Sequence, residues 1–524
     1  FESSLWDDNK KTSSGQHKSE FTEFATLGTQ FSAAIMDVSQ LEHLMRNLAI
    51  KETRTNSLDL LESKLSDVNQ DIYETMLSSE SLFKFLAEAD ADQHTTASRI
   101  IYDKALEFFP NGSASVIDRF FERCLTHPKN SVKQFGLRGA AAMVYHSATI
   151  TPNTVELIIQ HCLPMKEVYV DTLLNVLVKC LPPIFTEPTV QNKLVSVLQF
   201  DETVRCRVYE VVCTVLEQHP AYMQIASPVL ESALADLDKD DVLLQSSVLQ
   251  ILTQLLTTKE GFDYIEGIDL FRKVYVNFVS VKVTPFVRFV LPNALKFYAS
   301  AALIQPSLFL QRHPATVDFI FDQITPEDPM LMAIAYDCLG MVGSTNEGKI
   351  FLSDNQKLKM EQFLKEFPGI LHSTTDVYKV RFIECITCLM SGGDSESIDN
   401  RVTCITQEWY ETMTESKDLE MVQTLFKNPF PDIKMASLKL LSAIVDHRWG
   451  QQFFQNTACF TEQLLSRRLD TLNVNVAQFK YDVIKKLSLC PTLEPYVTDA
   501  LKQYVTAGAF HREAHVEVVI EGGQ

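Results

Sequence analysis

The pair Cys385-Ile-Thr-Cys388 is the part of this sequence whose residue types and spacing most readily suggest chemistry. Two thiolates three positions apart suit disulfide exchange or half of a tetrahedral metal site. A metal site needs a second pair of ligands at suitable spacing, and none lies nearby. The surrounding run, ECITCLM, is apolar with helical spacing. In such a run cysteine acts as a small hydrophobe, so both thiols are expected in a core. His127, His219, His313 and His447 fall near helix ends, three of them beside proline, and read as loop and cap residues. The chain has no GxxxxGK[ST] phosphate loop, no GxSxG elbow and no HExxH zinc motif. No catalytic residue, metal or cofactor is therefore expected, and the sequence does not read as an enzyme.

A more regular set of polar residues runs Arg138, Asn175, Glu210, Gln250, Asn293, Asp337, Glu384, Lys439, Asp482. Each is followed directly by two small or apolar residues, as in Glu210-Val211-Val212 and Asp337-Cys338-Leu339. The successive intervals are 37, 35, 40, 43, 44, 47, 55 and 43 residues, averaging 43. HEAT and armadillo units run at about 40–47 residues. On a helical wheel these positions lie well off the apolar stripe, so the side chains are expected to face solvent or a groove. The plainer alternative is a merely solvated face. In curved solenoids, one helix of each unit commonly lines the inner surface where extended partners bind.

The elements that position this series can be read from DETVRCRVYEVVCTVLEQH, residues 201 to 219. Val204, Val208, Val211, Val212 and Val215 fall at intervals of 4, 3, 1 and 3, which is one stripe on a helix. Strand alternation would put Val204 and Val211 on opposite faces. The acidic lead-in suits a helix N-terminus, where an Asp side chain caps free N–H groups. Related openings occur at DVYKVRFIECITCLM (376–390) and DIKMASLKLLSAIVDH (432–447). A second marker, KEGFDYI at 259 and NEGKIFL at 346, places Gly261 and Gly348 87 residues apart, close to twice the unit length.

Three places strain the pattern. Pro292 directly precedes Asn293, which predicts a later helix start or a kink. Gly139-Ala140 is a poor apolar pair, and the 55-residue interval before Lys439 has room for an extra helix or a long loop at SGGDSESIDN (391–400). A two-helix unit cannot bury its stripe alone, and each fully buried Val or Leu is worth about 1.5–3 kcal/mol, so stacking of neighbours dominates. The expected fold is all-α, a curved α-solenoid of roughly nine to eleven HEAT/armadillo-like repeats over residues 31–505. Residues 1–30 are expected to be disordered and 506–524 to form a tail, in which HVEVVI is the best strand candidate.

Composition agrees with this class. Hydrophobic residues make up 46% of the 524 and charged residues 22%, as in ordinary soluble globular proteins. No apolar run is long enough to span a membrane, and the first residues do not look like a secretory signal. The chain opens on Phe1 rather than methionine, and its natural beginning is expected upstream. Lys and Arg number 47 against 67 Asp and Glu, a net charge of −20 that opposes nucleic-acid binding and favours a basic partner. The 11 scattered cysteines suggest reduced thiols and a cytoplasmic protein, with the nucleus as a second location.

Several stretches together resemble a known family. TVRCRVYEVV (203–212), FVLPNALKFYASAA (289–302), DPMLMAIAYDCLGMVGSTNEGK (328–349), NPFPDIKMASLKLLSAI (428–444) and AQFKYDVIKKL (477–487) are similar, in the same order, to the 26S proteasome non-ATPase regulatory subunit 5 family. The tail EVVIEGGQ is similar to that family's acidic end, whereas AGAFHREAHV departs from its more tyrosine-rich tail. The resemblance implies an assembly chaperone for the base of the proteasome regulatory particle. Its partner would be the C-terminal domain of a proteasomal ATPase subunit, and its presence would block premature docking to the core cylinder. The contacts it implies are Glu210, Gln250, Asp337 and Glu384, with neighbours Arg207, Tyr209, Tyr336 and Arg381. The alternative is a generic HEAT-repeat adaptor or a nuclear transport-type receptor. In either case the chain is expected to be monomeric on its own.

Overall fold

The computed structural model describes residues 37–510 apart from 66–67, 113–114, 167–168, 281–286, 326, 393–399 and 468–472. The expected disordered start, HVEVVI and most of SGGDSESIDN lie outside the described residues. All regular structure among the described residues is helical, and the chain divides into two compact units, 1–184 and 185–524.

The first unit contains α1 (Val38–Leu48), α2 (Arg54–Leu65), α3 (Gln70–Ser78), α4 (Glu80–Glu88), α5 (Ala91–Phe108), α6 (Ser115–Leu125), α7 (Asn130–Tyr145), α8 (Pro152–His161) and α9 (Val170–Cys180). Helices α2, α5, α7 and α9 pack side by side, with α3, α6 and α8 as a second layer. Local sequence sets the starts. Asp37 and Gln40 form a reciprocal capping box at α1, and Asp90 and Gln93 do the same at α5. Gly139 is explained by its neighbour: a Cβ there would lie 2.2 Å from the ring of Tyr102. The absent side chain admits this tyrosine, whose hydroxyl donates to the Phe135 carbonyl at 2.7 Å.

The second unit runs α10 (Pro188–Val197), α11 (Glu202–Gln218), α12 (Ser227–Asp236), α13 (Val242–Thr253), α14 (Lys259–Gly267), α15 (Leu270–Val274), α16 (Leu291–Ile304), α17 (Pro306–Arg312), α18 (Ala315–Asp322) and α19 (Pro329–Val342). It continues with α20 (Asn346–Asn355), α21 (Lys357–Ser373), α22 (Asp376–Met390), α23 (Asn400–Thr414), α24 (Glu420–Phe426), α25 (Pro431–Ile444), α26 (Arg448–Asn456), α27 (Phe460–Leu465), α28 (Val474–Leu487) and α29 (Pro495–Ala507). Helices α11, α13, α16, α19, α22, α25 and α28 pack successively against one another as a ladder. A second layer includes α17, α20, α23 and α26, each packed on the next. This is the stacked α-solenoid of the HEAT/armadillo type. The long interval before Lys439 holds two helices, α23 and α24. Pro292 causes no kink, because α16 begins at Leu291 and the proline occupies its first turn.

The second-layer helices turn back sharply on the ladder. Thr258 and Thr345 cap α14 and α20 by accepting from the N–H groups of Gly261 and Gly348 at 3.2 and 3.0 Å. A Cβ at Gly261 would lie 1.9 Å from the Leu255 carbonyl oxygen, and one at Gly348 would lie 1.8 Å from that of Val342. Gly450 at the start of α26 faces the Ile444 carbonyl in the same way, at 2.0 Å. The sequence marker is therefore a site of close backbone approach, and it occurs a third time.

Candidate functional site

Each residue of the polar series in the second unit sits on a ladder helix, from Glu210 on α11 to Asp482 on α28. Their cross-links show that neighbouring ladder helices are parallel and in step. Asn293, in the first turn of α16, donates through Nδ2 to the Ser246 carbonyl near the start of α13 at 2.9 Å. Asp337 on α19 receives the Arg381 guanidinium from α22, with Nε at 3.1 and 3.0 Å from its two oxygens and Nη2 closing the fork. Glu384 on α22 accepts from Lys439 of α25 at 2.8 Å. Lys486 on α28 reaches the Ser442 carbonyl at 2.8 Å and Asp446 at 2.7 Å. Gln250 is exposed on α13, and Glu210 is half-buried on α11. In the first unit Asn175 is exposed on α9, and Arg138 of α7 donates to the Tyr169 hydroxyl at 2.5 Å and stacks on its ring.

Three of the expected contact residues lie inside the stack instead. Tyr209 and Tyr336 are 1% and 0% exposed, and Arg207 is 8% exposed. The reason is that a ladder helix is covered on more than one side. Alongside the valine stripe, α11 also buries Arg207, Tyr209, Cys213 and Leu216. Tyr209 and Tyr336, each preceding a polar position, point about 100° away round the helix from it, toward other neighbours. Tyr336 accordingly stacks on Phe382 with ring centroids 4.0 Å apart and meets Phe363 of α21 at 5.3 Å. Tyr209 donates to the Asp236 carboxylate at 2.9 Å.

Asp236 was not evident in the sequence as a special residue. Its carboxylate is buried and also receives Arg205 at 2.8 Å and Lys239 at 2.6 Å. Burial works to raise this carboxyl, but hydrogen bonds from Arg205, Lys239 and Tyr209 outweigh it and hold the group below the usual carboxylate value. Its role is to tie α11 to α12.

The CxxC pair lies on α22. Cys385 is buried and Cys388 half-buried, and burial raises both thiols above their ordinary value. Thiols held protonated in this way are poor nucleophiles. The Cα of Cys385 would lie 3.2 Å from a Cβ at Gly340, so the pair forms part of the α19–α22 contact. Beside it, Lys349 is fully buried. Its ammonium donates to the Gly343 carbonyl at 2.6 Å and the Ser344 carbonyl at 3.3 Å, satisfying the C-terminal end of α19. Burial pushes this amine down to about 8. His447 does the equivalent for α22, with Nε2 2.8 Å from the Met390 carbonyl. His219 and His313 are C-cap residues of α11 and α17, and His127 accepts from the Lys129 N–H at 3.1 Å.

The functional candidate is thus a surface: a row of polar side chains on parallel helices, several joined to the next helix by half-exposed ion pairs. A family model described as proteasome non-ATPase 26S subunit matches residues 38–524. The chain belongs to that family. The 26S proteasome non-ATPase regulatory subunit 5 of Drosophila melanogaster is 25% identical over 495 residues, covering 91% of this chain and 97% of the relative. The Homo sapiens protein of the same name is 24% identical over 518 residues, covering 95% and 100%. Among solved structures, Kap121p bound to Pho4p aligns with a TM-score of 0.49 and 12% identity, over 94% of this chain and 54% of Kap121p. An engineered protein aligns with a TM-score of 0.38 and 14% identity, over 90% and 93% of the two chains.

Proposed function

We propose that this family member is an assembly chaperone for the base of the 26S proteasome regulatory particle. It holds the C-terminal domain of one proteasomal ATPase subunit and, while bound, sterically blocks premature docking to the core particle. The observation that carries this reading is the family match over 38–524 on a chain built as a helical solenoid. The partner surface is the half-exposed polar face of the ladder: Glu210, Gln250, and the pairs Asp337–Arg381 and Glu384–Lys439.

Half-exposed ion pairs contribute only about 0–1 kcal/mol each. A cationic partner residue can therefore displace Arg381 or Lys439 from its carboxylate at small cost. The net charge of −20 speeds encounter with a basic face. The action is binding and exclusion, without bond chemistry, by a monomer in the cytoplasm.

The test is to mix the purified chain with each ATPase C-terminal domain in turn, then repeat with Glu210→Lys, Asp337→Lys and Glu384→Lys combined. One domain should bind, and the triple variant should bind it more weakly while keeping its helical signal. Absence of binding to every domain, or a cytosolic pull-down enriched in a transport GTPase and cargo instead, would end this reading. Unchanged affinity in the triple variant would place the contact elsewhere.

A further inference from the structure

We propose that the N-terminal edge of the second unit's ladder is a docking track for an extended basic polypeptide segment with a large apolar residue at every third position. The track is distinct from the polar ladder face and does not rest on the chaperone reading. Its basis is a row of exposed apolar side chains, one at the start of each successive ladder helix. Leu243 is the second residue of α13, Met330 of α19 and Val377 of α22; Val474 opens α28. Phe430 immediately precedes α25, and Phe289 lies two residues before α16. These six side chains are between 51% and 79% exposed, and Phe200 before α11 continues the row at 52%. Single exposed apolar residues are ordinary, but one per helix at the same end of parallel, in-step helices makes a continuous feature.

Leu243, Met330, Val377 and Val474 occupy first-turn positions, where the helix dipole favours acidic residues instead. More than half of each of these side chains is exposed to solvent.

The charge along the edge indicates what fits it. Asp201, Asp241 and Asp328 are engaged as caps, accepting from backbone N–H groups of α11, α13 and α19. These caps offset the positive helix ends. Beside them stand the exposed acids Glu202, Asp240, Glu327, Asp376 and Asp432. Some of these charges are paired with one another: Lys379 with Asp376, and Arg205 with Glu202 as well as with the buried Asp236, which also takes Lys239. Arg288 is exposed beside Phe289 and Lys427 close to Phe430, two cations against the unpaired exposed acids Asp240, Glu327 and Asp432. The balance is acidic, so the occupant is basic.

Spacing indicates its conformation. Packed helices lie about 8–10 Å apart. A polyproline-II segment advances roughly 9 Å for every three residues and returns each third side chain to the same side. Its apolar residues would meet one ladder helix each, with Lys or Arg between them facing the acids.

The experiment uses the full chain and a fluorescein-labelled peptide of six Leu-Pro-Lys repeats, followed by anisotropy at low and high salt. One control peptide has the same composition with irregularly spaced leucines, and a second has serine in place of every leucine. The regular peptide should bind about ten-fold more tightly than either control and should weaken with salt. The exposed-residue variant Leu243→Ser, Met330→Ser, Val377→Ser, Phe430→Ser, checked for unchanged circular dichroism, should lose about ten-fold in affinity. Equal binding of the irregular peptide, or an unaffected variant, overturns the proposal. So does sedimentation showing a wild-type dimer that the variant abolishes, which would make the edge a self-association surface. Binding to phosphatidylcholine vesicles that the variant abolishes would assign it to lipid and likewise overturn the proposal.

Discussion

Replacing Gly348 by alanine should destabilise the second unit, although alanine is the better helix former. On intrinsic propensity alone the change would stabilise a helix interior by roughly 0.8–1 kcal/mol. At this position the new Cβ would lie 1.8 Å from the Val342 carbonyl oxygen and 2.9 Å from its carbon, so the shorter contact is about 1 Å inside the closest approach a real Cβ makes. The obstacle is backbone, which cannot rotate aside, and α20 must shift away from the end of α19. Overpacking of this kind costs about 1–3 kcal/mol. The shift would also lengthen the 2.6 Å bond from Lys349 to the Gly343 carbonyl, weakening a charge-assisted bond worth about 1.5–3 kcal/mol. The net expectation is a loss of about 1–3 kcal/mol. Gly369→Ala in α21 is the matched control, because a Cβ there meets nothing within 4 Å. It should be neutral or stabilising by up to about 1 kcal/mol. Urea titration by circular dichroism gives the sign for each variant, and hydrogen exchange locates the loss, expected around α19–α22 because solenoid repeats couple mainly to neighbours. If Gly348→Ala is as stable as the wild type, close backbone approach is not why glycine stands there.

Three further expectations follow from the contacts. Asp337→Asn and Arg381→Gln in a double-mutant cycle should show a coupling of about 0.5–1 kcal/mol that shrinks in 1 M salt; no coupling would mean the pair is not formed in solution. The folded state releases the Lys349 proton at about 8, below the ordinary 10.5, so the unfolded chain binds more protons between those values and stability from this group rises with pH. The stability of wild type relative to Lys349→Met should therefore increase from pH 7.5 to 10 in urea titrations, and a falling difference would contradict the burial argument. Thiol labelling of the folded protein should modify the exposed Cys404 and Cys459 first and leave Cys124, Cys213, Cys338 and Cys385 until unfolding; early labelling of Cys385 would remove it from the core.

What the sequence determined by itself is the local and periodic part of this protein. Helix starts at Asp201, Asp328 and Thr345 are set by side chains bonding N–H groups three residues away, and the 43-residue period fixes which helices become the ladder. The family was legible for the same reason, since short stretches keep their order along the chain. Burial beyond one stripe was decided by tertiary structure. Helix periodicity marks the face turned to one neighbour, but α11 and α19 are covered on further sides: Tyr209 is taken in against α12, Tyr336 against α21 and α22, and Arg207 is buried as well. Partners separated by 44 and 55 residues, Asp337 with Arg381 and Glu384 with Lys439, meet only because the helices stack in step. The buried junction at Asp236 has no periodic signature either: Arg205 and Tyr209 reach its carboxylate from 31 and 27 residues away, which only the fold brings about.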